Sequence, residues 1–136
     1  MRQLKEYLTE GYSGYEWVES DTCADMLAGI FDDINDVIYK KVNDFVNKQH
    51  DTTSKSLACF DAANAILFFF DMYANNKREY DITDDLCDLC ISFIESAQED
   101  TEMQSTWDNP EEFTDHLDKM MEKAVQYKAI ADKHNR

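Results

Sequence analysis

The sequence predicts an all-α protein: a bundle of four main helices around a buried central helix at about residues 56–74, with short extra helical turns. Apolar residues recur at helical spacing in four separate stretches, and none alternate with the period of two that a strand requires. The chain of 136 residues has one proline and three glycines, too few turn residues for a β-sandwich or barrel. We expect a single acidic helical domain over residues 1–136, with 1–19 as a loosely structured N-terminal segment.

The central helix is predicted from the stretch 56–73, whose apolar side chains cover most of a helical wheel. Asp61, Asn64 and Asp71 form its polar stripe, and Phe68 interrupts that stripe. A helix with this distribution is buried, either in a protein core or in a membrane. Each charge at the centre of a membrane span costs about 2.5–3.5 kcal/mol on insertion scales. We therefore expect a protein core and no membrane.

The first long helix is predicted to begin at a Ser20 cap and to run to about Gln49. Asp25, Asp32 and Asp36 point away from its apolar face, so they make an exposed acidic face. The positions expected to face inward share helical spacing: Cys23, Leu27, Ile30, Phe31, Ile34, Val37, Ile38, Lys41 and Phe45.

A linker at 48–54 precedes the central helix, and Thr53 or Ser54 in it is the candidate cap of that helix. A polar loop at 75–82 then leads from the central helix to the third helix. Thr83 is predicted to cap it. Its inner stripe is Leu86, Cys87, Cys90, Phe93, Ile94 and Ala97, and its water-facing residues are Asp88, Ser92 and Glu95.

The last long helix has a clear start signal. Residues 100–107 can form a short helix or turn that presents Trp107. Asn109 is the predicted N-cap, Pro110 takes the first helical position, and Glu112 completes a capping box. The inner face of this helix is expected to contain Phe113, Leu117, Met120, Met121, Ala124 and Lys128.

The balance of charge restricts the partners of this chain. Thirteen Lys and Arg against 29 Asp and Glu give a net charge of −16, which disfavours nucleic acid and anionic membrane surfaces. It fits either a basic protein partner or simply a soluble surface. The first ten residues contain no apolar signal region, and four cysteines without one indicate reduced thiols. We therefore expect a cytoplasmic location.

Cys87 and Cys90 form the most suggestive chemical motif, a Cys-x-x-Cys pair. Redox activity requires an exposed thiolate at a helix N-terminus, whereas these two residues lie on the inner stripe of the third helix. A structural zinc site would need a second pair, and Cys23 and Cys59 are lone residues on other helices. Core packing is the favoured interpretation, with a four-thiolate zinc site and a redox pair as the alternatives.

Acidic clusters invite a comparison with all-helical nucleotide pyrophosphohydrolases, which bind Mg²⁺ between helices. Solvated faces and helix starts are the simpler interpretation of these clusters. Asp61 and Asp71 on the central helix are better candidates for a role, because a buried carboxylate must be paired; a structural hydrogen bond to a neighbouring helix end is the expected explanation. The clusters are Asp32, Asp33 and Asp36; Asp84, Asp85 and Asp88; and Glu111, Glu112 and Asp115.

No recognised catalytic arrangement accompanies the histidines. His50, His116 and His134 lie in a linker, on a helix flank and near the tail, and Ser13 lacks the setting of a nucleophile elbow. A glycine-rich phosphate loop and a dinucleotide-binding fingerprint are both missing from the sequence. We therefore predict no catalytic, cofactor-binding or metal-binding residue and no cofactor.

Two segments resemble a small bacterial family without an assigned function, domain-of-unknown-function family 4259. The first segment, 17–27, reads Trp-Val-Glu-Ser-Asp-Thr-Cys-Ala-Asp-Met-Leu and opens a helix, and the second, 107–113, reads Trp-Asp-Asn-Pro-Glu-Glu-Phe. With the helices between them, the resemblance spans roughly 14–127. Family members usually begin with Trp-Gly near the initiator, where this chain has Gly11 to Tyr15. The resemblance implies a small helical bacterial protein and no activity or active-site residue.

Aromatic residues at element ends either cover the ends of the bundle or form a contact patch. They are Tyr12, Tyr15, Trp17, Tyr80 and Trp107. We predict a non-enzymatic protein-binding module, in its sharpest version an antitoxin- or immunity-like inhibitor of a basic nuclease toxin. The predicted partner contacts are Trp17, Asp25, Asp32 and Asp36. The alternative is a metal-dependent hydrolase; inward carboxylates between helices would favour it, and exposed aromatics beside outward carboxylates would favour the binder.

Overall fold

The computed structural model describes residues 21–134, and within this range the chain is helical without a strand. A 3₁₀ turn at Glu79–Asp81 connects the second helix to the third. The all-α prediction of four main helices with short extra turns is confirmed, while the predicted N-terminal segment 1–19 lies outside the described residues. The helices are α1 (Asp21–Asn47), α2 (Thr52–Asn75), α3 (Asp84–Glu99), α4 (Thr101–Gln104) and α5 (Pro110–His134).

The chain divides into two compact units after Ile34, inside α1. Of the first unit, the structure describes a helical segment in which Asp25 and Asp32 are exposed and Cys23 and Leu27 are half-buried. The second unit begins at Asn35 and contains the last part of α1 together with all the following helices. That the whole chain forms a single domain stays a prediction.

Helix α3 supplies most of the contacts in the second unit, because it packs against both α2 and α5. The approach to α2 is close: the Cys90 thiol donates to the carbonyl of Ala63 with a sulfur–oxygen distance of 3.8 Å. All six residues of the predicted inner stripe of α3 are buried, and its three predicted water-facing residues are exposed. The predicted stripe of this helix is confirmed.

Helix α2 buries one broad side, where Ile66, Phe70 and Tyr73 are fully buried. Its other side is open: Phe68, which interrupts the polar stripe, is 64% exposed. By length and composition α2 could cross a membrane, but half of its most apolar stretch is buried within the protein, as in a core helix. That the protein avoids membranes stays a prediction. The predicted cap was wrong: Asp51 caps α2, accepting a hydrogen bond of 2.8 Å from the Ser54 backbone N–H.

The part of α1 in the second unit buries a different face from the one that the sequence predicts. Val37 and Phe45, expected to face inward, are exposed, whereas Asn35 and Val46 are buried beside the correctly predicted Ile38. The buried positions are therefore displaced from the predicted ones by about one residue, or about 100° around the helix. The prediction followed apolarity and could not foresee that a polar asparagine would face the interior.

The connection at 75–82 is not the polar, solvated loop that the sequence predicts. Lys77 has a φ of 59°, and the next residue's N–H donates to the Tyr73 carbonyl at 2.7 Å, which ends α2 in a Schellman motif. The chain then turns inward, so that Arg78, Asp81 and Ile82 are buried. Arg78 Nε and an Asp81 carboxylate oxygen form a salt bridge of 2.6 Å.

Asn35 and Tyr73 extend this buried polar network. The Tyr73 hydroxyl donates to the Asn35 side-chain oxygen at 2.8 Å, and the Asn35 amide donates to the Asp81 carbonyl at 2.7 Å. Burial, with the nearby Asp81 charge, raises the pKa of Tyr73 to about 12, so its hydroxyl stays protonated and remains a donor. The network fastens the end of α1 to the connection between α2 and α3.

Candidate functional site

An aromatic groove opens where the α4–α5 connection meets α2, with a volume of about 630 Å³. One wall comes from α2 through Phe60, and the other comes from the connection and the first three turns of α5. We call it the Trp107 groove. Its lining residues are Phe60, Trp107, Asp108, Asn109, Glu112, Phe113, Asp115, His116 and Lys119.

The short helix α4 fixes the approach to this groove. Asp100 caps it by accepting from the Met103 N–H at 2.9 Å, a bond that helps to hold the pKa of Asp100 below its usual value. Buried Gln104 donates to the Ala97 carbonyl at 2.8 Å, which ties α4 to the end of α3. The backbone N–H of Trp107 donates to the Gln104 carbonyl at 3.3 Å, which closes the next turn. The indole is therefore positioned by a hydrogen-bonded turn.

Helix α5 starts with the predicted cap and the predicted proline, but the predicted capping box is incomplete, because among the described residues the Asn109 N–H makes no hydrogen bond to the Glu112 side chain. The Asn109 side chain accepts from the Glu112 N–H at 3.2 Å, and Pro110 occupies the first helical position. The first turn aims Phe113 at α2 and leaves Glu112 exposed. The capping signal thus sets which α5 residues reach the groove.

Three aromatic rings form the base of the groove. Trp107 stacks on Phe113 with ring centroids 4.3 Å apart and planes inclined by 12°. Phe60 packs against both rings, at 4.9 Å from Phe113 and 5.6 Å from Trp107. Phe60 and Phe113 are buried, but Trp107 is 40% exposed. The groove therefore offers an apolar surface that is already ordered and still accessible.

Carboxylates lie beside the rings. Asp108, Glu112 and Asp115 are all exposed, and within the described residues none of them joins a salt bridge. Lys119 is the lysine in the lining, one helical turn beyond Asp115. The groove thus combines an exposed aromatic ring with an excess of outward negative charge.

Three of the four cysteines lie in the protein core. Cys59, Cys87 and Cys90 are buried, and Cys23 is half-buried. Burial raises the pKa of both Cys87 and Cys90 to about 12, so these thiols are protonated near neutral pH. The core-packing interpretation is confirmed for these three buried cysteines, and the redox interpretation of the Cys-x-x-Cys pair is wrong.

One of the three acidic clusters, at the start of α3, is paired with a lysine of α5. The Lys128 ammonium group lies 3.1 Å from Asp88 and 3.4 Å from each of Asp84 and Asp132. It joins the start of α3 to the end of α5, and these carboxylates raise its pKa. Among the residues that the structure describes, no three His, Cys, Asp or Glu side chains are grouped as metal ligands.

Asp61 and Asp71 differ from the expectation of buried carboxylates. Asp61 is exposed, and Asp71 is half-buried. Asp71 accepts from the Lys123 ammonium and the Tyr127 hydroxyl on α5, so its partners are side chains and not a helix end. Partial desolvation works to raise the pKa of Asp71, but these two hydrogen bonds and the Lys123 charge outweigh it and lower the pKa.

The predicted partner contacts are only partly described. Trp17, like Tyr12 and Tyr15, lies outside the described residues. Asp25, Asp32 and Asp36 are exposed as expected, and their contact with a partner stays a prediction. The aromatic site found in the structure is instead the one around Trp107.

The sequence contained part of the signal for this groove. Trp107 was a candidate for a contact patch or an end cover, and Asn109 was the predicted helix start. Phe60 lay within the stretch predicted to be buried, 56–73, Asp115 belonged to an acidic cluster interpreted as a solvated face or helix start, and Asp108 was not assigned to a site. Their meeting depends on how α2 and α5 pack, which no local pattern encodes.

Comparison of the chain with known protein families, with curated proteins and with solved structures finds no match. The resemblance to family 4259 therefore stays a prediction.

Proposed function

We propose that this protein is a non-enzymatic binding module that captures a basic protein partner through the Trp107 groove. An antitoxin- or immunity-like inhibitor of a basic toxin is the sharpest version of this function. The observation that carries the proposal is the exposed Trp107 ring lying beside the outward carboxylates of Asp108 and Glu112.

Each component of the groove has a separate energetic role. Tryptophan is among the residues that most often dominate interface energies, because its large ring removes much apolar surface from water. Trp107 already stacks on Phe113, so binding would require little further ordering of the ring. Exposed carboxylates and a net charge of −16 raise the encounter rate with a basic partner and disfavour acidic ones.

The hydrolase alternative has weaker support. Mg²⁺ in such enzymes needs carboxylates from facing helices that converge on one point. Where carboxylates of α3 and α5 converge, at Asp84, Asp88 and Asp132, the Lys128 ammonium group already lies among them as their cation. The groove carboxylates point outward beside aromatic rings, which is the arrangement expected of a binder.

The test uses short basic peptides that each carry one apolar residue, with affinity measured by calorimetry for the full chain. Trp107→Ala should weaken the best peptide by about tenfold or more, as removal of an interface anchor does. Phe68→Ala is the matched control, because it removes an exposed aromatic ring from the open side of α2. The proposal is refuted if no basic peptide binds, or if the two variants lose the same affinity.

A further inference from the structure

We propose that the Trp107 groove selects arginine over lysine in the segment it binds. The guanidinium group would lie flat on the open face of Trp107, with its edge towards the carboxylates of Asp108 and Glu112. This inference rests on the proposed function and specifies the partner residue that the groove recognises.

The geometry of the aromatic stack leaves a ring face for this contact. Phe113 covers one face of the Trp107 indole, since the two planes are nearly parallel at 4.3 Å. Phe60 is tilted by 33° to Trp107 and lies further away, at 5.6 Å. Trp107 is 40% exposed, and the centroid distances put both rings that pack on it, Phe113 and Phe60, on one side of the indole, so among the described residues no aromatic ring stacks on its other face. A planar group fits against such a face.

The charges around the stack favour a cation at its rim. Asp108 follows Trp107 directly, and Glu112 precedes Phe113, so each carboxylate is attached next to one ring of the stack. Asp115 is also exposed, but it lies one helical turn before Lys119, whose positive charge reduces the attraction of that end of the groove for a cation. Asp108 and Glu112 line the groove without a lysine one turn away, so they are the carboxylates proposed to meet the ligand.

The chemistry of the two basic side chains then decides between them. Guanidinium is planar, is more weakly hydrated than ammonium, and presents a fork of donors that matches a carboxylate. It can stack on an indole and use its edge for hydrogen bonds at the same time. An ammonium group is compact and strongly hydrated, so it would lose bound water if it contacted the indole ring. Arginine is more common than lysine over tryptophan for this reason.

The experiment compares three peptides that differ at one central position, which is arginine, lysine or citrulline. Citrulline keeps the planar shape of arginine and removes its charge. The full chain keeps both of its tryptophans, and the Trp107 indole resonance is identified as the one that is lost in Trp107→Phe. The indole N–H resonance and the affinity are followed by NMR titration.

The arginine peptide should bind about fivefold tighter than the lysine peptide and should shift the Trp107 indole resonance. Citrulline should bind more weakly than arginine. Glu112→Gln should reduce the preference for arginine over lysine, whereas Glu122→Gln, an exposed change further along α5, should leave it intact. Trp107→Phe keeps an aromatic ring at this position, so the variant should fold. Of the three peptides, the arginine peptide should lose the most affinity for it.

The outcomes separate the inference from the function on which it rests. Equal binding of the arginine and lysine peptides, with the indole resonance shifted by both, overturns arginine selection and leaves the basic-partner function standing. Equal binding of arginine and citrulline also overturns it, because charge would then play no part. If none of the peptides moves the indole resonance of a folded protein, the groove does not bind basic segments and both proposals fall.

Discussion

Two regions of the second unit combine aromatic rings with charged side chains, and they treat those groups in opposite ways. In the buried network, Tyr73 is fully buried, and its hydroxyl, the Asn35 amide and the Arg78–Asp81 pair all find partners within the chain. In the Trp107 groove, the ring is 40% exposed and its neighbouring carboxylates remain in solvent.

Polar groups of this protein that find their partners within the chain are structural, whereas those left in solvent beside an exposed ring are available for binding. Burial of a charge is tolerated when a partner and hydrogen bonds replace water, as Asp81 does for Arg78. Such a group is then committed to the fold. Exposed carboxylates beside an ordered ring contribute little to stability and keep their capacity for an outside partner. Substitutions in the network should therefore change stability, and those in the groove should change binding.

The largest expected effect is on the network. Asp81→Ala removes the carboxylate that forms the salt bridge with the buried Arg78 guanidinium, and should lower the free energy of unfolding by about 3–5 kcal/mol. Urea denaturation followed by circular dichroism measures it. The double change Arg78→Met with Asp81→Ala should cost less than the sum of the single changes, because it removes both charges of the buried pair together. Loss of under about 1 kcal/mol in the single variant would show that solvent reaches the pair.

A second substitution separates the hydroxyl of the network from its ring. Tyr73→Phe leaves the buried Asn35 side-chain oxygen without this donor, and should destabilise the protein by about 1–3 kcal/mol. Tyr127→Phe is the matched control, since its hydroxyl binds the half-exposed Asp71 and its loss should cost less. If Tyr127→Phe lowers the free energy of unfolding more than Tyr73→Phe does, the Asn35–Tyr73 hydrogen bond is not the more important of the two for stability.

The groove should show the opposite balance. Trp107→Ala removes two aromatic pairs, with Phe113 and with Phe60, and should cost about 1–3 kcal/mol of stability, while affinity for the best basic peptide falls by about tenfold or more. Thermal unfolding and calorimetry on the same sample give both quantities. If the variant loses several kcal/mol and binds as before, Trp107 is a cover for the end of the bundle and not an anchor.

The exposed acidic residues of α1 should affect the rate of association. Changing Asp25, Asp32 and Asp36 to Asn together should slow association with a basic partner by about three- to tenfold at low salt, with little change in stability. The wild-type rate should also fall steeply towards physiological salt, where the screening length is about 8 Å. Stopped-flow mixing measures both effects.

A control of equal charge tests whether position matters. Three exposed residues elsewhere are neutralised to glutamine for comparison: Glu95, Glu99 and Glu102. An equal slowing in this control would assign the effect to net charge. An association rate that ignores both salt and the α1 substitutions would remove steering from the proposal.

The smallest expected effect concerns Asp71, which is partly exposed. Its lowered pKa means that the interaction with Lys123 and Tyr127 stabilises the fold above the ordinary carboxyl pKa of about 3.9, and that this contribution is lost as pH falls through the lowered pKa. Lys123→Met should therefore cost under about 1 kcal/mol near neutral pH and less in acid. Urea denaturation at several pH values checks it; a cost that grows in acid would contradict the assignment.

Local sequence was sufficient where one helix face determined the outcome. The stripe of α3 could be predicted residue by residue, because its apolar positions keep one helical period and its acids lie on the other side. The start of α5 was equally local, since Asn109 and Pro110 act within a single turn. The all-α class followed from several such faces taken together.

Tertiary structure decided everything that depends on residues far apart in the chain. The sequence could not show that Asn35 turns inward, because its partners Tyr73 and Asp81 belong to other elements. The sequence also predicted that 75–82 is a polar loop in solvent, although Arg78 and Asp81 are buried and form a salt bridge with each other. The Trp107 groove arises in the same way: Phe60 joins the stack only when α2 packs near the start of α5. Helical periodicity is a property of neighbouring residues, whereas the pairing of buried polar groups and the meeting of rings are set by how helices pack.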